Sequence, residues 1–139
     1  MFSSASNEWA TPQDLFDRLN AVHHFNLDAA STDANAKCLN HFTEVDDGLS
    51  QDWGGYTVWL NPPYGRELSK WVEKAYAESR KPNTKVVMLI PARTDTRWFH
   101  DYCVKGDIEF IKGRLKFGNS KNSAPFPSMI VVFENIEQR

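Results

Sequence analysis

The sequence is poor in cysteine, because Cys38 and Cys103 are the only two among its 139 residues. Two cysteines do not form a disulfide framework, and a reducing cytoplasm is the simplest setting for such a chain. No run of 18 apolar residues occurs, which excludes a membrane-spanning helix. The N-terminus has neither the basic start nor the apolar stretch of a secretory signal. The length and the 41% hydrophobic content fit one ordinary globular domain.

A large excess of one charge is also absent, since the formal net charge is −2. That balance argues against a protein that coats nucleic acid regardless of its sequence. The two signs are nevertheless separated along the chain. Residues 1–60 hold two basic and nine acidic side chains, whereas residues 85–121 hold eight basic and four acidic ones. The separation indicates two kinds of ligand surface, although a chance imbalance on a solvated face explains it equally well at this point.

Hydrophobic periodicity predicts strands that alternate with helices. Thr11 is the candidate N-cap of a first helix, Pro12 is its first residue, and Asp14 completes a capping-box-like spacing. Further helices are expected near 68–76 and 98–102. The pattern is also compatible with a short strand near 39–43 and with a hairpin arm within 113–127, but it does not require either. The predicted strands are 25–30, 56–60, 85–90, 108–111 and 129–133.

This alternation is typical of a parallel sheet with crossover helices. The last two strands lack a helical pattern between them, so we expect them to pair antiparallel. The predicted fold class is therefore α/β, with three layers. Ligands in such sheets bind beyond the carboxyl ends of the strands. The loops expected to line the site are thus 28–31, 61–64 and 91–93.

The tetrapeptide Asn61-Pro62-Pro63-Tyr64 directly follows a hydrophobic strand. Two prolines make a rigid turn and remove two N–H donors, but a plain turn requires neither the asparagine nor the tyrosine. The exocyclic amine of adenine is a poor nucleophile, because its lone pair is delocalised into the ring. The side-chain carbonyl of Asn61 and the backbone carbonyl of Pro62 can both accept its N–H bonds, which exposes the lone pair to an electrophile.

The matching electrophile is the methyl-sulfonium group of S-adenosylmethionine, attacked in line without a covalent enzyme intermediate. Tyr64 offers an aromatic face on which a flipped base can stack. Neither cysteine follows a proline, so methylation of a ring carbon through a thiolate is not expected. The four residues Asn61, Pro62, Pro63 and Tyr64 are the predicted catalytic residues.

The 61–64 loop and its surroundings resemble the phage-type (Dam-like) DNA N6-adenine methyltransferases, a family of class I S-adenosylmethionine-dependent amino-methyltransferases. The resemblance also rests on Trp53 and on the segments 8–12, 27–31, 47–49 and 113–133. It implies a Rossmann-like methyltransferase fold with a mostly parallel sheet and an antiparallel C-terminal hairpin. It also implies one methyltransferase domain over 1–139, without a separate target-recognition domain. The implied reaction is methyl transfer from S-adenosylmethionine to adenine N6 in DNA, after base flipping.

The resemblance further implies a cofactor site in the acidic half of the chain. Asp47 matches the acidic residue that binds the adenine amine of the cofactor, with Asp46 as an equally near alternative. Thr11 and Pro12 match the segment that contacts the methionine end of the cofactor. Asp28 matches the acidic residue that ends the first strand. Small residues at 29–31 replace a glycine-rich turn and still permit close approach. The full predicted set is Trp9, Thr11, Pro12, Asp28, Ala29, Ala30, Ser31, Asp47, Leu49 and Asn61.

The spacing departs from the family pattern. Only 19 positions separate Asp28 from Asp47, too few for the two helices and two strands that are usual there. We therefore expect one or two strands of the family's sheet to be missing or shortened. Glu44 is the candidate for the acidic residue that clamps the cofactor ribose.

Basic side chains interleaved with aromatic ones in 85–121 predict a phosphate track with a stacking platform for DNA. Phe117 is the predicted second stacking residue for the extruded base. The alternative is a solvated hairpin in which Phe117 and Phe126 belong to the core. Without a separate target-recognition domain, recognition of a DNA sequence must come from short loops, be weak, or need a homodimer. The predicted DNA-binding residues are Arg66, Arg93, Arg97, Arg114, Lys116, Phe117 and Lys121.

Two other functions stay open at this point. A protein glutamine methyltransferase acts on an amide nitrogen held by the same geometry, but it does not need the basic 85–121 segment. A catalytically weak DNA-binding module of the same fold is the non-enzymatic alternative. No metal is expected, because His23, His24, Cys38 and His41 include no convincing set of four ligands. The predicted setting is the cytoplasm of a bacterial or phage-infected host cell.

Overall fold

The computed structural model describes residues 10–118 and 122–135. Within these ranges the chain forms three α-helices and one five-stranded mixed sheet. None of the helices in these ranges is long and apolar enough to cross a membrane. Single 3-10 turns lie at Gly48–Ser50 and Cys103–Lys105. The helices are α1 (Gln13–His23), α2 (Leu68–Ser79) and α3 (Arg97–Asp101), and the strands are β1 (Leu27–Asp28), β2 (Thr57–Leu60), β3 (Lys85–Pro91), β4 (Asp107–Phe110) and β5 (Ser128–Glu134).

The strands lie in the order β1-β2-β3-β5-β4. β1, β2 and β3 run parallel, and β5 runs antiparallel to both β3 and β4. The prediction that the last two strands pair antiparallel is therefore confirmed. β3 takes the central position because its apolar residues 86–90 are buried throughout, which requires cover on both faces of the sheet.

Helices pack on both faces of the sheet. On one face, Phe16 of α1 meets Trp59 of β2 edge to face, with ring centroids 5.4 Å apart. On the other face, Tyr76 of α2 meets Phe133 of β5 in the same way, also at 5.4 Å. The register aligns Trp59 through β3 with Val132, the neighbour of Phe133 on its strand, so Trp59 and Phe133 point to opposite faces. The α/β class is thus confirmed.

Helix α1 begins one residue later than the sequence predicts. Pro12 takes the N-cap position, and no described side chain caps the helix. The prediction of Thr11 as N-cap is therefore wrong, and its hydroxyl contacts the loop after β2 instead. Asp14 closes no capping box, because its carboxylate accepts a hydrogen bond from the adjacent N–H of Leu15.

The strand considered near 39–43 is reduced to one bridge between Asp28 and His41. The structure describes every residue from 29 to 47, and apart from that bridge they form only turns and irregular loops. The sheet is therefore short on this side, as the spacing predicts. The hairpin arm considered within 113–127 is not formed by the described residues, although the N–H of Ala124 donates to the carbonyl of Leu115 over 2.7 Å.

Candidate active site

Four strands direct their carboxyl ends to the same edge of the sheet. β1, β2 and β3 are parallel, and β4 shares their direction because β3 and β4 are both antiparallel to β5. The loops after β1, β2 and β3 therefore meet at this edge, together with the connection 111–127 between β4 and β5. We call this side of the sheet the carboxyl edge, and the loops predicted to line the site lie on it.

Asn61 is the first residue after β2. Its side-chain Nδ2 donates to Thr11 Oγ1 over 3.0 Å, and its Oδ1 accepts a hydrogen bond from the hydroxyl of Tyr64 over 2.8 Å. Thr11 comes within reach because Phe16, near the start of α1, packs on Trp59, two residues before Asn61. The side-chain amide of Asn61 is thus held at both ends.

The two prolines after Asn61 shape the wall beside it. Pro62 is buried, Pro63 is half-buried, and neither has a backbone N–H. The carbonyl oxygen of Pro62 accepts no hydrogen bond from the residues that the structure describes. A backbone carbonyl that receives no hydrogen bond from the described residues therefore follows Asn61 directly in the chain, as the predicted acceptor pair requires.

Tyr64 and Phe117 are packed into the protein, each with only 4% of its surface exposed. The ring of Tyr64 contacts Phe117 and Phe126 edge to face, with centroids 6.2 and 5.6 Å away. The prediction that Tyr64 and Phe117 offer open faces to a flipped base is therefore wrong for this conformation, in which both belong to the core. Burial raises the pKa of the Tyr64 hydroxyl, which therefore stays protonated. Its single proton lies within reach of two acceptors, Asn61 Oδ1 at 2.8 Å and the carbonyl oxygen of Leu89 at 3.1 Å.

A cavity of about 680 Å³ opens beside Asn61, between the loops that follow β1 and β2. Its volume falls within the range of roughly 300–1,000 Å³ that is usual for small-molecule sites. Among the described residues that line it, Lys37 is the only lysine or arginine. We call it the acidic cavity after its five carboxylate residues, Asp28, Asp33, Glu44, Asp47 and Glu67.

Eight of the ten predicted cofactor residues line the acidic cavity. Pro12 does not line it, and Trp9 lies outside the described residues. Glu44, the candidate for the ribose, lines it as well. The eight are Thr11, Asp28, Ala29, Ala30, Ser31, Asp47, Leu49 and Asn61.

Asp28 ends β1 with a buried carboxylate. Burial raises its pKa to about 6, although hydrogen bonds from the N–H groups of Lys37 and Ala30 act in the opposite direction. At neutral pH the group is therefore mainly ionised. It places a negative charge on the cavity wall next to β2.

The structure distinguishes Asp47 from Asp46. The carboxylate of Asp46 is bound to Thr43, from which it accepts hydrogen bonds of 2.8 Å from the backbone N–H and 3.1 Å from the hydroxyl. Asp47 has a left-handed backbone with φ 57° and makes no side-chain cap bond to the described residues of the 3-10 turn that it precedes. Of the two, Asp47 lines the acidic cavity.

Gly48 allows two walls of the cavity to touch. A Cβ atom at this position would lie 2.3 Å from the carbonyl oxygen of Ala29 and 3.1 Å from the ring of Trp71. Only glycine therefore fits without displacing the backbone at Ala29. This contact is not predicted from the sequence, where the small-residue segment at 29–31 is the only signal for it.

The segment 47–50 is fastened to α2 by a buried glutamate that sequence reasoning also missed. Trp53 donates from its indole Nε1 to the carbonyl of Gly48 over 3.0 Å. The backbone N–H of Trp53 in turn donates to Glu78 Oε1 over 2.6 Å, and Lys74 and Lys81 pair with the same carboxylate at 3.3 and 2.8 Å. Glu78 lies on the otherwise apolar face of α2, and a charged residue on that face is the signal in the sequence for a buried ion pair.

Most of the basic residues lie on the other side of β2, whereas Arg66 follows the 61–64 loop directly and precedes Glu67 of the acidic cavity. The sheet order places β1 and the acidic cavity on one side of β2, and β3, β5 and β4 on the other. Arg93 follows β3, Arg97 begins α3, and Arg114 and Lys116 lie in the 111–127 connection. Lys121 lies outside the described residues. We call the exposed set the basic rim; it comprises Arg66, Arg93, Arg97, Arg114 and Lys116.

In the part of the chain that the structure describes, no three His, Cys, Asp or Glu side chains come together as a metal site. His41 instead pairs with Asp33 over 2.8 Å. Cys38 and Cys103 are both free thiols, and burial raises their pKa to about 11 and about 12. Neither thiol is therefore a ready nucleophile.

The fold and site define an α/β protein whose Asn-Pro-Pro-Tyr loop lies between an acidic cavity and most of a basic rim, as expected of an amino-methyltransferase. The family model described as DNA N-6-adenine-methyltransferase (Dam) matches residues 2–139. The DNA N-6-adenine-methyltransferase of Haemophilus phage HP1 is 33% identical over 136 residues, which cover 91% of this chain and 78% of that protein. The protein of the same name from Escherichia phage T1 is 30% identical over 146 residues, which cover 85% of this chain and 60% of that protein.

The chain therefore belongs to the DNA N-6-adenine-methyltransferase (Dam) family, and the predicted family is confirmed. Members of this family are adenine-specific DNA methyltransferases that use S-adenosylmethionine. The predicted reaction, enzyme class and cofactor are confirmed with it.

Proposed function

We propose that this chain methylates adenine N6 in DNA at Asn61, with S-adenosylmethionine in the acidic cavity and the DNA backbone on the basic rim. The observation that carries the proposal is the position of Asn61. Its amide is fixed by Thr11 and Tyr64 and borders the acidic cavity, with most of the basic rim on the other side of β2. The family's reaction brings together a cationic cofactor and a polyanionic substrate, and this division of charge suits both.

The acidic cavity fits the cofactor by charge and by shape. S-adenosylmethionine carries a sulfonium and an ammonium group against one carboxylate, so its net charge is positive at neutral pH. Five carboxylate residues face it, with Lys37 as the single lysine or arginine among the described lining residues. The apolar surfaces of Phe42, Leu49 and Trp71 line the same cavity and suit a nucleoside base.

Individual cofactor contacts follow from the lining of the cavity. We assign Asp47 to the adenine amine, Leu49 to the adenine ring and Glu44 to the ribose. The small residues 29–31 let the backbone approach the cofactor closely. The backbone of the segment 10–12 is assigned to the methionine end, with Pro12 fixing its conformation. Trp9 is assigned there from the family resemblance alone, because it lies outside the described residues.

The chain's own contribution to the chemistry is a rigid pair of acceptors. When bound, S-adenosylmethionine supplies an electrophilic methyl group for in-line attack by N6. Asn61 Oδ1 and the carbonyl oxygen of Pro62 accept the two N–H bonds of the amine, which turns the nitrogen lone pair out of conjugation with the ring. Because these acceptors are fixed before the reaction, they stabilise the positive charge that develops on N6 in the transition state.

The basic rim binds phosphates and the aromatic group around Tyr64 receives the base. Salt-sensitive contacts from Arg66, Arg93 and Arg114 hold the DNA while the target nucleotide is flipped out. In the described conformation Tyr64 acts through its hydroxyl, because Phe117 and Phe126 pack against its ring. Stacking of a base on Tyr64 therefore requires that these two rings withdraw when DNA binds.

We further propose that the fold is a shortened three-layer Rossmann-like methyltransferase fold and that residues 1–139 act as one methyltransferase domain, with no separate target-recognition domain. Helices on both sheet faces and the reversed strand β5 support the first part. Recognition of the DNA sequence is then performed by short loops at the carboxyl edge, and a homodimer would double the surface that contacts DNA. The phage relatives support the cytoplasm of a bacterial or phage-infected cell as the setting.

Product analysis tests the proposal. Purified protein is incubated with S-adenosylmethionine and unmethylated plasmid, and the hydrolysed nucleosides are identified by mass spectrometry. We expect N6-methyldeoxyadenosine from the parent and from the control variant Asn40→Ala, which changes an exposed asparagine outside the cavity. DNA binding without any methyl transfer would contradict the proposal in favour of the DNA-binding module. Methylated glutamine in a protein substrate added to the same reaction, without methylated DNA, would contradict it in favour of the glutamine methyltransferase.

A further inference from the structure

We propose that Thr11 is a positioning residue for Asn61, and that its hydroxyl restricts the side-chain torsion that aims the asparagine amide at the target amine. This inference rests on the proposed function. It differs from the role that the family resemblance implies for Thr11, which is a contact to the methionine end of the cofactor. The juxtaposition that carries it is the 3.0 Å hydrogen bond from Asn61 Nδ2 to Thr11 Oγ1.

The reaction requires one particular orientation of the amide. Its oxygen accepts hydrogen bonds and its nitrogen donates them, so a half-turn about the last side-chain torsion would present N–H groups to the N–H groups of adenine. That torsion is intrinsically broad and roughly two-fold in asparagine, and the backbone alone does not select its state. The hydroxyl groups of Thr11 and Tyr64 bind the two ends of the amide and restrict this torsion, and in the structure the nitrogen faces Thr11 and the oxygen faces Tyr64.

The hydroxyl of Thr11 is not engaged in the role that its position predicts. A threonine just before a helix usually caps it, but Pro12 is the N-cap of α1 and no described side chain caps the helix. Thr11 exposes only 7% of its surface and reaches a residue 50 positions further along the chain. A buried hydroxyl is stabilised by such a partner, and here that partner is the predicted catalytic amide.

The segment that carries Thr11 is itself held on both sides. Pro12 restricts the backbone to φ −58°, and its carbonyl accepts the N–H of Phe16 over 3.2 Å at the start of α1. The carbonyl of Ala10 accepts the N–H of Gly118 over 2.9 Å, from the connection that also carries part of the basic rim. Support of this kind fixes a side chain to the precision that a catalytic contact needs.

Three variants separate positioning from cofactor contact and from plain stability. Thr11→Val keeps the shape and removes the acceptor, and Thr11→Ser keeps the acceptor. Thr84→Val is the matched control, because Thr84 is only 3% exposed, accepts the N–H of Gly55 over 2.8 Å, and precedes β3 at the opposite edge of the sheet. The turnover rate at saturating substrates is measured as N6-methyladenine formed, and the affinity for S-adenosylmethionine by calorimetry.

We expect Thr11→Val to lower kcat by at least roughly 10-fold, as a small misplacement of a catalytic group does, with cofactor Kd within about twofold of the parent. Thr11→Ser is expected to restore most of the turnover, and Thr84→Val to keep it. Weaker cofactor binding with unchanged kcat in Thr11→Val would overturn the proposal in favour of cofactor contact. A serine variant as slow as the valine variant would also overturn it.

A measurement independent of activity uses the pair itself. If the hydroxyl and the amide bind each other, Thr11→Val and Asn61→Ala must couple, so the double variant loses less in Tm than the sum of the single losses. Additive losses would refute the contact even if the protein formed no methylated product. Absence of product from the parent would instead refute the proposed function, and the two failures are therefore distinguishable.

Discussion

Replacement of Gly48 by alanine is expected to weaken the binding of S-adenosylmethionine while leaving the protein folded. The added Cβ would lie 2.3 Å from the carbonyl oxygen of Ala29, whereas ordinary contacts begin at 3.4 Å. The two segments must therefore separate by about 1 Å, and a shift of this kind costs about 1–3 kcal/mol. Both segments line the acidic cavity, so the displacement changes the distance between the cofactor contacts at 28–31 and those at 47–49.

The expected magnitudes follow from this shift. Typical domains are stable by about 5–15 kcal/mol, so the variant stays folded with a Tm lowered by roughly 3–10 °C. Loss of about 1.4 kcal/mol of cofactor binding corresponds to a 10-fold higher Kd, and we expect at least that change. Isothermal calorimetry measures the Kd, and circular dichroism measures the Tm.

Gly54→Ala is the matched control for this variant. A Cβ atom at Gly54 would meet only side-chain atoms of Asp52 and Lys81, at 3.0 and 3.2 Å, and these flexible groups can move aside. Gly54 also lies outside the acidic cavity. The control should therefore bind the cofactor like the parent. Parent-like affinity in Gly48→Ala itself would refute the assignment of the cavity.

Three further predictions concern charge and the aromatic group. Burial favours the protonated form of Asp28, so the contribution of this residue to folding stability falls as the pH rises through its pKa of about 6. The attraction of its carboxylate for the cationic cofactor grows over the same range. Cofactor affinity measured by calorimetry should therefore weaken below that pH. Arg114→Ala should lower DNA affinity and reduce the slope of log K against log salt by about 1. Tyr64→Phe removes the donor to Asn61 Oδ1 and should lower kcat by roughly 10-fold, with the fold retained because the ring contacts remain.

Each of these has an outcome that contradicts it. Cofactor affinity that stays constant as the pH is lowered from neutral to well below the pKa of Asp28 would remove this residue from the cavity's electrostatics. A salt slope of Arg114→Ala equal to that of the parent would place Arg114 away from the DNA. The control for this variant is Lys70→Ala, because Lys70 is an exposed residue of α2 that pairs with Glu67. Unchanged turnover in Tyr64→Phe would leave the hydroxyl without a role at Asn61.

Much of the fold could be predicted because its signals are local. The apolar run at 85–90 and the helical apolar face from Leu68 to Tyr76 correspond to β3 and α2. The proline-rich stop after β2 placed Asn61 at a strand end, where the sheet directs it to the carboxyl edge. The eight cofactor residues found around one cavity follow from the same rule, because parallel strands bring the loops after β1 and β2 together.

The details that were missed depend on contacts between distant parts of the chain. Thr11 before Pro12 has the local pattern of an N-cap, and only the packing of Phe16 on Trp59 turns its hydroxyl toward Asn61. The position of Tyr64 after two prolines is compatible with an exposed or a buried ring. The ring is buried because Phe117, far along the chain, packs against it. A pattern of neighbouring residues does not contain this information.

Activation of the adenine amine is assigned to the Asn61 amide and to the carbonyl of Pro62, which accepts no hydrogen bond from the described residues. The most direct test is the single-turnover rate of methyl transfer by Asn61→Ala, with saturating S-adenosylmethionine and DNA. We expect a rate at least roughly 100-fold below that of the parent, with DNA affinity unchanged within about twofold. Methyl transfer by Asn61→Ala at the rate of the parent would contradict this assignment.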